Sequence, residues 1–229
     1  MDQLIIGDKA SFDDYGASMA RRFIGMPTKK SIKETVPFSN VTYDFSAING
    51  EVFWNERELE YVFEMMASTP EELEEMKTKF SGWVMNVFED EIHDPFIPEY
   101  HFIGTYDDMK YEDDDGLDKT TVTVSFMAYP YKVANIPKTY TIDLETYYTK
   151  YVTIVNESAH KVSPSIKTTA ACTVTFHLGD TAIKYETVLE GGGTFVLGVD
   201  LEPNGCYVVK FVSHDEPVTA TLWYNEEVM

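Results

Sequence analysis

Between residues 58 and 65 the chain alternates: Leu59, Tyr61, Phe63 and Met65 fall on one face, Glu58, Glu60 and Glu64 on the other. A period of two puts one face on a core and the other in water, which predicts a half-buried antiparallel strand. The period then changes. Leu73, Met76, Phe80, Trp83, Val84 and Val87 recur at helical offsets, and a start signal precedes them. Thr69 can cap, Pro70 suits the first helical position, and Glu72 stands three residues after Thr69 as a capping-box partner. These features predict one amphipathic helix packed on a sheet, weakened but not interrupted by Gly82. Alternation resumes at 101–108 and 120–129, where Val122, Val124, Phe126 and Ala128 interleave with Thr121, Thr123 and Ser125. Between these strands, Glu112-Asp113-Asp114-Asp115-Gly116 reads as an acidic hairpin tip. Asp94-Pro95-Phe96-Ile97-Pro98 is too proline-rich for a central strand. Residues 1–33 have no clear period, and their basic members Arg21, Arg22, Lys29, Lys30 and Lys33 read as a solvated loop.

Pro130, Tyr131 and Asn135-Ile136-Pro137 mark a boundary. Proline there opposes continuing a strand, so two domains are expected, residues 1–133 and 134–229. The second has no helical period. Short strands at 151–155, 172–178, 183–189, 195–199, 207–212 and 218–224 are punctuated by turns such as Gly191-Gly192-Gly193 and Pro203-Asn204-Gly205. That rhythm predicts a β-sandwich. The expected fold class is mainly β, with an N-terminal β-barrel or sandwich carrying the one helix and a C-terminal β-sandwich.

Charge narrows the functional classes. The 229 residues carry 18 basic and 39 acidic side chains, a formal net charge of −21. Such a surface repels phosphate and disfavours nucleic acid and anionic membrane as partners. No run of ~18 apolar residues could span a bilayer, and Met1 to Ala10 lacks the features of a secretion signal, so synthesis in the cytoplasm is expected. Cys172 and Cys206 lie outside any metal-like spacing and read as two separate thiols, a disulfide being the alternative in an oxidising compartment.

The search for chemistry is negative. Gly191-Gly192-Gly193 lacks a following helix, and Gly16-Ala17-Ser18-Met19-Ala20 fits a serine elbow poorly. His93, His101, His160, His177 and His214 form no paired-ligand spacing along the chain. A calcium loop centred on Gly116 would place Val122 where a bidentate carboxylate is required. No catalytic, cofactor-binding or metal-ligating residue is therefore expected, and the protein is not expected to be an enzyme.

The stretch from about Glu34 to Tyr131 resembles the distal tail protein family of siphophages. The similarity runs through Val36-Pro37, Asp44, Gly50, Phe53, Asn55-Glu56-Arg57-Glu58-Leu59 and Phe63, then Trp83 in the helix. It continues with Asp94, Tyr100, Phe102 and Gly104 and closes on Phe126, Ala128, Pro130 and Tyr131. Phe38-Ser39-Asn40 stands where the family has Pro-Gly, and the Asp94–Pro98 link is longer. The resemblance implies a structural virion protein at the tail tip, assembled as a homohexameric ring through its N-terminal domain. It implies partners in the tail tube, the hub or fibres and the receptor-binding baseplate, and a galectin-like C-terminal sandwich. Two other classes are carried beside it. One is a carbohydrate-binding module using Tyr207, Trp223 or Tyr224, although core packing is the commoner use of aromatics at alternating strand positions. The other is a hydrolase built on a carboxylate pair.

Overall fold

The computed structural model describes residues 2–35, 38, 40, 42–46, 52–114, 119–178 and 182–229. Val36-Pro37, Ser39, Gly50 and the Asp115-Gly116 end of the acidic turn lie outside the described residues. The chain divides into two compact units, Met1–Lys132 with Met229, and Val133–Val228.

The first unit contains β1 (Ile5–Ile6), β2 (Lys9–Ala10), β3 (Ser18–Ile24), β4 (Lys33–Thr35), β5 (Thr42–Asp44), β6 (Arg57–Met66), α1 (Pro70–Val84), β7 (Asp90–His93), β8 (Tyr100–Asp113) and β9 (Lys119–Ala128). Its main sheet follows the order β2-β1-β7-β8-β9-β6-β3, while β4 and β5 pair separately. The period-two pattern becomes burial directly: Leu59, Tyr61, Phe63, Val122, Val124 and Phe126 form the core face.

The helix starts as its sequence signals. Thr69 Oγ1 accepts from the Glu72 amide at 3.2 Å, and Glu72 Oε2 accepts from the Ser68 amide at 3.2 Å. Phe80 is fully buried and meets Phe63 edge-on, centroids 5.4 Å apart, which seats α1 on β6. Trp83 stacks on Tyr15 at 4.7 Å. Gly16 sits at φ +70°, in the left-handed region that favours glycine, and lies against the terminal methyl of Met76 on the helix.

Two differences from the sequence reading have identifiable causes. Strand β8 runs five residues past Asp108, to Asp113, because its acidic end is matched by cations: Lys77 Nζ bonds Asp113 Oδ1 at 2.6 Å, and Lys110 pairs with Glu112 at 2.5 Å. The basic N-terminal stretch is not one solvated loop, since Arg21 and Arg22 lie in β3, paired to β6 across a bulge.

The second unit continues from β10 (Lys132–Ala134), which crosses the boundary, into β11 (Lys138–Leu144), β12 (Thr149–Val155), β13 (Ser165–Thr168), β14 (Cys172–Leu178), β15 (Ala182–Leu189), β16 (Thr194–Val196), β17 (Cys206–Ser213), β18 (Val218–Tyr224) and β19 (Glu227–Val228). Two four-stranded sheets, β11-β18-β13-β16 and β12-β17-β14-β15, make a sandwich around Ile142, Ile154, Ile166, Val174, Phe176, Phe211 and Leu222. The sequence reading lacked β11 and β13 and carried β16 on to Val199, where the strand ends at Val196.

Both cysteines are free: Cys172 is buried opposite Ser213 and Cys206 is exposed opposite Val155. Burial pushes the Cys172 thiol up to about 11. A thiol reagent at neutral pH is therefore expected to modify Cys206 in the native protein and Cys172 only after denaturation. Labelling of both without unfolding would contradict the packing of β14.

His160 bonds Glu227, which fastens the C-terminal strand, and this bond raises the imidazole above its ordinary value. A folded pKa above the unfolded one contributes stability that is complete below about pH 6.5 and lost as pH rises through the folded pKa. Melting curves of the wild type should thus fall relative to His160→Gln as pH rises above about 6.5. Parallel curves would show that the contact contributes nothing.

Candidate functional site

Strand β3 is the last strand of the main sheet, and the chain leaving it builds a ribbon outside that sheet. The Gly25 amide bonds Glu58 O at 2.8 Å, Lys29 bridges Trp54, the Lys30 amide bonds Phe53 O, and the Asn55 amide bonds Thr28 O. Farther along, the Ile32 amide bonds Ser46 Oγ and β4 pairs with β5 in the register Lys33↔Asp44 to Thr35↔Thr42. Among the described residues, backbone bonds thus join the two arms of the ribbon at its base and again at β4 and β5. Many of its apolar side chains are not covered. Phe23, Met26 and Phe53 expose 58%, 73% and 50% of their surface, and Ile32, Tyr43, Phe45 and Val52 are exposed as well. A two-stranded ribbon is marginal in water by itself, and a contiguous set of exposed apolar groups marks a contact surface.

Charge at the base of the ribbon is balanced. Arg22 Nη1 bonds the buried Asp94 Oδ2 at 2.5 Å and lies over the Phe96 ring at 4.6 Å. Arg21 shares a shallow groove of about 580 Å³ with Glu60, Asp108, Lys110 and Glu112. The two arginines therefore do not make a basic patch.

The structure distributes the sequence-derived candidates widely. Tyr207 and Tyr224 are buried, the former accepting from the Glu202 amide at 2.7 Å and the latter donating to Val155 O at 2.7 Å. Neither can stack on a sugar; Trp223 is half-buried. Exposed tyrosines of that unit are Tyr147, Tyr148 and Tyr151. Ser18 opens β3, away from any serine-elbow geometry. His160 contacts Glu227 and His214 contacts Thr173, whereas His93 and His101 face each other across adjacent strands.

Arg57, Phe102, Gly104, Phe126, Ala128 and Pro130 of the family-like set are buried, whereas Phe53 and Asn55 lie exposed in the ribbon. Arg57, 2% exposed, bonds Pro130 O through Nη2, so the two ends of the motif block close on one another. Its guanidinium lies 5.5 Å from the Phe102 ring centroid. A Cβ at Gly104 would stand 2.7 Å from Ile92 Cδ1, which explains a glycine inside β8. These residues hold the sheet. The exposed ribbon also carries family-like positions, Asp44, Phe53 and Asn55 among the described residues, and its further signal is apolar residues outside any core-forming period.

No family model matches the sequence, and no curated protein does. Among solved structures the chain is similar to the Dit (gp 19.1) protein of SPP1, described as a paradigm of the hub adsorption apparatus in phages infecting Gram-positive hosts. That likeness has a TM-score of 0.72 at 14% identity and covers 100% of both chains, so the two share a fold across both units. The phage P2 baseplate in its activated conformation with Ca matches at TM-score 0.40 and 10% identity, covering 99% of this chain and 98% of that one. The Drosophila melanogaster CENP-C cumin domain matches at 0.27 and 13% identity, covering 67% of this chain and 99% of that one. Neither of these two scores supports a common fold.

Arg57 forms no ion pair among the described residues, and its Nε has no hydrogen-bond partner there; burial lowers its pKa. Arg57→Ala should cost about 3 kcal/mol, from lost packing and an orphaned Pro130 carbonyl. Arg57→Met, which keeps most of the packing but leaves the Pro130 carbonyl without the same donor, should cost less than Arg57→Ala. Urea unfolding of the full chain measures both, and equal losses would mean that the hydrogen bond to Pro130, not the packing of the side chain, is what stabilises the site.

Proposed function

We propose that the protein is a structural component of the distal end of a long phage tail, assembled as a ring, a homohexamer, that joins the tail tube to the hub, fibres or receptor-binding baseplate. The observation that carries this reading is the end-to-end likeness in fold to SPP1 Dit, a hub adsorption protein, across both units. It is supported by the motif resemblance of residues 34–131, which rests on different information. No described helix is long and apolar enough to cross a membrane. In this reading the place of the protein is the virion tail tip and it carries out no catalysis.

Ring formation is assigned to residues 1–133, because the exposed apolar ribbon and the edge strand β3 both lie there. Residues 134–229 then form the sandwich that hangs from the ring. A formal charge of −21 per copy makes closely packed neighbours repel, so closure relies on apolar and strand-edge contacts, and salt favours it by screening. The carbohydrate-binding alternative would have to use the exposed Tyr147, Tyr148 and Tyr151 in place of Tyr207 and Tyr224.

Light scattering on the full chain across a salt series tests the assignment. Hexamers that grow in with salt, and that Phe23→Ser with Phe53→Ser shifts to monomer, are expected. A monomer at every salt and protein concentration, with no rings by electron microscopy, would overturn it.

A further inference from the structure

Two histidines that are unremarkable along the chain meet in space beside a carboxylate. Strands β7 and β8 are antiparallel neighbours, with Glu91 opposite Ile103 and Ile92 opposite Phe102. Continuing that register sets His93 opposite His101. Ile92 and Phe102 are buried in the core. Strand alternation therefore puts Glu91, His93 and His101 together on the other face.

The donor atoms converge. Glu91 Oε2 lies 3.3 Å from His93 Nε2, and Glu91 Oε1 lies 3.9 Å from His101 Nε2. One ligand atom from each of the three residues falls within 4.8 Å of the others. The imidazole rings are 5.2 Å apart and tilted by 41°. Donors about 2.0–2.2 Å from a single tetrahedral zinc stand roughly 3.3 Å from each other. One pair already has that separation. The others reach it by rotation about the terminal side-chain torsions, which are soft in His and Glu.

Burial gives the cluster the properties of a site. The His101 side chain is 9% exposed and so held in place, the His93 side chain is 34% exposed, and Glu91 is 62% exposed and open to an arriving ion. The neighbouring acids are committed elsewhere. Asp94 is occupied by Arg22, Tyr61 and the Phe96 amide, and Asp90 accepts from the Phe88 amide.

We propose that Glu91, His93 and His101 bind one divalent transition-metal ion of the zinc class. Two imidazoles select zinc, cobalt, nickel or copper over magnesium and calcium, which prefer all-oxygen ligands. Three protein ligands leave a coordination position for water. The ion ties β7 to β8 at the point where β1 joins the sheet, since Ile5 stands opposite His93. The expectation of no metal rested on spacing along the chain. An eight-residue separation carries no such signal until the hairpin folds it into a facing pair.

The test is titration of chelator-treated full chain with Co²⁺ and then Zn²⁺, in about 5 mM Mg²⁺ to occupy the many surface carboxylates. One equivalent of Co²⁺ giving a visible ligand-field band, displaced by Zn²⁺, is expected. His93→Asn should weaken binding roughly tenfold to a hundredfold, and His93→Asn with His101→Asn should abolish the band. Because His101 is nearly buried, the wild type supplies an independent readout. Of the five histidines, only two should shift their ring resonances when Zn²⁺ is added. Absence of a site above the Mg²⁺ background, an undiminished site in His93→Asn, or shifts at other histidines would overturn the proposal.

Discussion

The first unit depends on one buried carboxylate. Asp94 lies just past β7, yet its side chain, with no exposed surface, bonds Arg22 of β3 and Tyr61 of β6. In the sheet order those strands are four and three steps from β7, so the sheet must curl until its far side returns to this point. The same carboxylate accepts from the Phe96 amide and so also shapes the proline-rich turn. Burial and the adjacent Asp94 charge push the Tyr61 phenol far above its ordinary range, so it remains a donor at any physiological pH. A charge without solvent must be fully partnered, and here the partners come from three separate stretches of chain.

That closure explains the division between core and surface. With α1 seated on β6, the family-like residues of the sheet and helix are spent on packing: Arg57 on Pro130, Gly104 on Ile92, Trp83 on Tyr15. What the curled sheet does not absorb is the ribbon between β3 and β6, where Met26, Ile32 and Phe53 are exposed.

This contrast also governs what can be read from the sequence. Strands β6, β9, β14 and β18 announce themselves because one face is apolar and the other polar, and α1 because Thr69, Pro70 and Glu72 specify its first turn. Strand β11 hides its inward Tyr140, Ile142 and Leu144 among Lys138, Thr139, Thr141 and Asp143. The two-residue strands β1 and β2 are too short to show a period at all. For the candidate surface, the apolar residues are visible in the sequence, but their lack of cover is a tertiary fact. The Glu91, His93 and His101 cluster is created by strand register, which no local spacing encodes.

The pairing of β1 with β7 has a consequence for synthesis. Ile5 waits for His93, and Arg57 of β6 waits for Ala128 of β9. At about 5–20 residues per second, a ribosome needs roughly 4–18 s to deliver the first partner after its mate. Through that interval Leu4 and Ile6, destined for the core, have only the two-residue β2 beside them. Slow, non-local pairing of this kind is where β-proteins aggregate. The abundance of carboxylates in the same region then acts before any native contact exists, holding nascent chains on one polysome apart until each can close on itself.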